Sequence, residues 1–141
     1  MRSLLSTIKL IVLHVLSLVL GLACVARAQG FSARQFVAAV NGAYAIEVDS
    51  ALLRRTAAEA DVPVPARTLK VYVLPGRGFA CGEDRCSGVW VQTTREDYII
   101  VAEQRLEREP WLLRHEYLHH VLQTGDHPWT FQRLNIRTTD S

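Results

Sequence analysis

Trp111-Leu-Leu-Arg-His115-Glu116-Tyr-Leu-His119-His120-Val-Leu-Gln123 is the most informative run in the chain. Pro110 before it suits the first turn of a helix, and Glu107 and Glu109 stand near the positive end of that helix's dipole. Gly125 fits the residue just past the C-terminus. The spacing predicts one helix over 111–123. Its apolar residues Trp111, Leu112, Leu113, Leu118, Val121 and Leu122 spread around most of the circumference, so it is expected to be buried on most sides. Within this apolar cylinder stand His115, Glu116 and His119, which are costly to bury without partners.

Histidines four apart in a helix lie one turn apart on one face, so His115 and His119 can converge on one metal ion. Glu116 is about 100° round the helix from His115 and about 60° from His119. It flanks that position without ligating it, and a carboxylate there can accept a proton from metal-bound water. Zinc lowers the pKa of such water to about 7. A catalytic zinc takes three protein ligands, and His127 in Gly125-Asp126-His127-Pro128 leads for the third. Asp126 is the second choice and Glu103 the third. Gly125 permits the reversal that would bring His127 back. His120, about 100° from His119, is expected to hydrogen-bond around the site rather than ligate. Gln123 lines the cleft or sits solvated in the last turn, and Arg114 covers the helix or pairs with an acid. Trp111 and Trp129 read as core or cleft wall, and Tyr98 is a weak choice for an oxyanion donor.

His115-Glu-Tyr-Leu-His119 resembles the HExxH motif of zincin metallopeptidases, and the chain looks like a small exported member of that group. The resemblance covers five residues and, in context, about the last forty. It implies one Zn²⁺ held by His115 and His119, Glu116 as the catalytic base, and a small sheet beside the active-site helix. It reaches no named peptidase family. The metzincin pattern HExxHxxGxxH fails on spacing, because Gly125 and His127 come six and eight residues after His119 instead of three and six.

Upstream, apolar residues at Phe36, Val37, Val40 and Tyr44 suit an amphipathic helix over 31–45, with Ser32 as its N-cap. Asp49 or Ser50 caps a second helix through Ala60, ended by Pro63 and Pro65. Leu69–Leu74 reads as a strand stopped by Pro75-Gly76, and 76–88 as a polar loop. Val89–Thr93 and Tyr98–Ala102 read as a hairpin turning at Arg95-Glu96-Asp97. The aromatic tail after Pro128 forms a short helix or wraps back onto the core. The expected class is α+β: N-terminal helices, a short antiparallel sheet and a buried active-site helix.

The first 28 residues carry a basic start (Arg2, Lys9), an apolar run over Leu10–Val25 and Ala26-Arg27-Ala28, the three parts of a secretory signal. That run has 16 residues, short of the roughly 20 a membrane-crossing helix needs. A retained anchor is the rival reading, and a lipobox at Cys24 a weaker one. Removal of the signal from 141 residues leaves one domain over 29–141. Export to a periplasmic or extracellular space makes a Cys81–Cys86 disulfide the natural reading; a metal site on that pair lacks further thiolates. A composition 49% hydrophobic and 21% charged excludes a disordered chain. Beyond the signal, all 14 acidic residues face all but three of the 16 basic ones, so no nucleic-acid or anionic-membrane partner is indicated. The partner expected is a peptide or protein substrate, and so small a chain leaves room for a partner or second copy to complete the cleft. Two other readings stand beside the hydrolase: an exported zinc-binding module without catalysis, and a protein-interaction domain using the hairpin.

Overall fold

In the computed structural model, residues 33–81 and 83–138 are described. Met1–Gln35 and Phe36–Ser141 separate into two units, and the architecture below is that of the second. The signal segment and Ser32 lie outside the described residues. Helix α1 spans Ala33–Ala39 and stops well short of residue 45. Gly42 takes φ +85°, which breaks the helical path, and the chain continues as strand β1, Tyr44–Ile46.

Helix α2, Ser50–Ala60, is capped by Asp49, whose carboxylate accepts from the N–H groups of Ala51 and Leu52 at 3.1 and 2.9 Å. The Asp49 N–H donates to the Tyr117 hydroxyl at 2.8 Å, which ties the start of α2 to the informative helix. Left-handed Asp61 (φ 60°) then closes α2 two residues before Pro63.

The remaining strands are β2 (Thr68–Leu74), β3 (Phe79–Cys81), β4 (Asp84–Cys86), β5 (Gly88–Gln92) and β6 (Glu96–Ala102). The loop expected over 76–88 thus contains a small hairpin, β3–β4, closed by the Cys81–Cys86 disulfide. The main sheet has the order β1-β2-β6-β5. It is mixed, which corrects the expected antiparallel sheet: β2 and β6 pair in parallel from Thr68↔Glu96 to Leu74↔Ala102. A parallel pair needs a crossover of a dozen residues or more, and the segment carrying β3, β4 and β5 supplies it. Glu96 and Asp97 belong to β6, so the β5–β6 turn lies earlier, where Thr93 and Glu96 bond to each other.

Central β6 is buried from Asp97 to Ala102. Val71, Val73, Ile99 and Val101 share one face and form the core with Leu53, Ala57, Leu112, Leu118 and Phe131. Each fully buried side chain of this kind contributes about 1.5–3 kcal/mol.

Helix α3 (Glu103–Arg108) precedes α4 (Trp111–Leu122), and α5 (Trp129–Arg133) follows. Every residue of α4 from His115 to Val121 is buried. The left-handed residue ending α4 is Gln123 (φ 52°) rather than Gly125. Its side-chain amide donates to the His120 carbonyl and to Asp97, bonds that hold a non-glycine residue in this conformation. In the tail, Phe131 is fully buried, but Trp129 is 69% exposed and belongs to neither core nor wall. Among the described residues no helix is long and apolar enough to cross a membrane.

Candidate metal centre

One turn of α4 separates His115 from His119, and their Nε2 atoms lie 3.1 Å apart. The loop after α4 returns His127, whose Nε2 is 3.2 Å from that of His115. One ligand atom from each of the three falls within 4.8 Å of the others, a cluster that could hold a metal ion. His115 and His119 are buried, while His127 is exposed and forms the open side. Phe131 lies against all three rings, at centroid distances of 5.1, 4.8 and 4.8 Å. Trp90 stacks on His119, and Trp111, packed against the core, meets His115 edge-on.

The outer nitrogens set the protonation. His115 Nδ1 is 2.6 Å from the Arg137 carbonyl, and His119 Nδ1 is 2.8 Å from the Thr124 carbonyl. A carbonyl only accepts, so each Nδ1 carries the proton and each Nε2 presents a lone pair. Two lone pairs 3.1 Å apart cannot bond each other, and a cation between them would resolve the contact. Burial lowers the pKa of His115, and lowers that of His119 to about 4, against the opposing pull of their carbonyl bonds. Both rings are therefore neutral at pH 7, the form that ligates.

A pocket of about 250 Å³ opens here, lined by Trp90, His115, Glu116, His119 and His127 among others. Gly88 of β5 also lines it. A Cβ on Gly88 would stand 2.5 Å from Glu116 Oε1 and 3.1 Å from Leu112 Cδ1. The missing side chain is thus the space that the carboxylate occupies. Gly88→Ala is expected to cost roughly 1–3 kcal/mol by overpacking. Urea unfolding checks this as a lower midpoint at unchanged slope, and an unchanged midpoint contradicts it.

Behind the cluster lies a second polar layer. His120 is fully buried, and its Nδ1 donates to Asp97 Oδ2 at 2.8 Å. Asp97 Oδ1 accepts from Arg67 Nε at 2.8 Å, and Gln123 Nε2 donates to Oδ2 at 2.9 Å. Burial works to raise the Asp97 pKa, but the bonds from Gln123, Arg67 and His120 outweigh it and hold the group below its ordinary value. Burial also lowers the His120 pKa, against the pull of Asp97. The layer fixes the rotation of α4 one residue from His119.

These shifts set a pH dependence. A histidine with a depressed folded pKa binds protons more readily when unfolded, so its contribution is complete above pH 6.5 and is lost as pH falls toward about 4. His115 and His120 shift in the same direction, and Asp97 adds a loss below about 3.8. The melting temperature of metal-free protein is expected to fall as pH drops from 6.5 to 4. A flat profile across that window contradicts the buried neutral imidazoles.

The other candidates lie elsewhere. Glu103 accepts from the Tyr44 hydroxyl at 3.1 Å on the exposed surface, and exposed Asp126 is outside the cluster. Tyr98 is on the sheet face turned away from α4, bonded to the Glu96 carboxylate and stacked on Tyr72, so it is no oxyanion donor for this pocket. Arg114 pairs with Glu59 at 2.6 Å. Gln123 serves the second layer instead of the cleft. Sequence reasoning missed Gly88, Trp90, Asp97 and the roles of the Thr124 and Arg137 carbonyls. Only Phe131 left a signal, as part of the aromatic tail. Compared with protein-family models, with curated proteins and with solved structures, the chain matches none of them.

Proposed function

We propose that this chain is an exported zinc-dependent hydrolase acting on peptides, with His115, His119 and His127 as the ligands and Glu116 as the catalytic base. The observation that carries the reading is the convergence of three imidazoles on one point, beside a carboxylate lining the same pocket. Tetrahedral zinc with Zn–N bonds of 2.0–2.1 Å separates its nitrogens by about 3.3 Å. The Nε2 separations of 3.1 and 3.2 Å from His115 suit that geometry, the whole cluster lies within 4.8 Å, and an all-imidazole set suits zinc. Bound there, zinc would supply a Lewis acid and an acidified water.

The chain's own groups do the rest. The Thr124 and Arg137 carbonyls hold the ring tautomers. Glu116 accepts the proton of the attacking water and passes it to the departing amine nitrogen. Gly88 leaves room for that carboxylate. β5 is the outer strand beside the pocket, with no described strand on its far side, and an extended peptide can add to that edge. β6 is central, so it offers no such edge. The disulfide supports an oxidising, exported location, and a partner or second copy completes the far wall of a cleft that this small domain builds on one side.

The test pairs zinc analysis with hydrolysis of a mixed peptide panel by wild type and Glu116→Gln. One zinc per chain with turnover lost only in the variant supports the reading. Zinc without turnover in either protein would leave a metal-binding module, and no stoichiometric zinc would end both readings.

A further inference from the structure

A second pocket, of about 310 Å³, is lined in part by Cys86 and Ser87, just before Gly88. Four arginines from three parts of the fold line it: Arg77 after β2, Arg85 on β4, and Arg105 and Arg108 on α3. No acidic residue is among its described lining residues. Three of the four guanidinium groups are held in place. Arg77 Nε donates to Gln104 Oε1 at 3.2 Å, and Arg85 Nη2 to the Gly78 carbonyl at 3.3 Å. Arg105 Nε donates to Ser87 Oγ at 3.0 Å, and its Nη1 meets Glu109 at 2.6 Å. The one carboxylate in this set is engaged by Arg105, which leaves a concave surface with a strong positive excess on a nearly neutral domain. The disulfide pins Cys86, and through it the strand bearing Arg85.

We infer that this arginine pocket binds the carboxylate side chains of an acidic peptide segment that flanks the bond cut at the metal centre. The class follows from the lining: fork-shaped donors match carboxylates, and the pocket is open enough to take a side chain from a bound strand. The position follows from the Ser87-Gly88 link. Cys86 and Ser87 line the arginine pocket and Gly88, the next residue, lines the metal pocket, so the two pockets adjoin along the chain. A peptide added along β5 that extends past Gly88 carries a flanking side chain toward the arginines. The assignment rests on the hydrolase reading for the word substrate, but the binding itself needs no catalysis.

The experiment uses zinc-loaded Glu116→Gln protein and two rhodamine-labelled nonapeptides, one neutral and one with adjacent glutamates off its centre. Fluorescence anisotropy is expected to show roughly ten-fold tighter binding of the acidic peptide, weakened by salt. Arg85→Ala with Arg108→Ala, both exposed positions, should reduce that affinity to the neutral level, while Arg54→Ala with Arg95→Ala leaves it intact. Equal binding of the two peptides overturns the assignment, as does a preference that survives loss of Arg85 and Arg108. Saturable inorganic phosphate binding that depends on these arginines, without any peptide preference, overturns it in favour of a small-anion site. Hydrolysis by the wild type separates the two readings. Equal cleavage of both peptides keeps the hydrolase and refutes the arginine pocket. A binding preference with no cleavage keeps the pocket as a peptide anchor and refutes the hydrolase.

Discussion

Glu116→Gln is expected to keep one zinc per chain and to lower peptide hydrolysis by roughly 10²–10⁴-fold, the usual contribution of a positioned base. The change is isosteric, so the space opposite Gly88 stays filled and α4 keeps its packing. The three imidazoles are untouched, and their tautomers are set by carbonyls that do not involve residue 116. What is removed is the carboxylate's charge and with it the ability to accept a proton beside the metal pocket. Metal content by mass spectrometry and turnover of a fluorogenic peptide read the two consequences separately. Loss of zinc together with activity would mean that Glu116 acts as a ligand or a structural prop, and unchanged turnover would remove it from the mechanism.

Asp97→Ala is the largest stability change expected, about 3–5 kcal/mol. Asp97 is fully buried and is the shared acceptor for Arg67, His120 and Gln123. Its removal leaves the Arg67 guanidinium with only the Thr93 carbonyl, frees a buried imidazole donor, and takes one of the two bonds that hold Gln123 in the left-handed cap. A domain of this size has only about 5–15 kcal/mol of total stability, so the variant should lie near the threshold of folding. Guanidinium unfolding measures the loss, and a change under about 1 kcal/mol would show that water replaces the network at little cost. Metal affinity should fall as well, because His120 and Gln123 anchor the end of α4 that carries His119.

Some of this was legible in the chain itself. The burial of α4 followed from apolar residues all round its circumference, and the shared face of His115 and His119 followed from the helical period alone. Asp49 as a cap and the local cysteine pair were equally readable, because each depends on residues within a few positions. His127 was reachable because only a short loop separates it from the helix, so few conformations keep it far away.

Strand order was not legible. β2 and β6 have the same kind of apolar run, and nothing within either says that the partner lies parallel, across a crossover holding three other strands. The fit of Gly88 against Glu116, the Asp97–His120 pair and the gathering of four arginines join residues far apart in sequence, and each exists only once the sheet is laid down. Periodicity and capping act over one or two turns and are written in the order of residues. Contacts between distant segments depend on which of many compact pairings buries the most apolar surface while satisfying every buried polar group, and packing in three dimensions makes that choice.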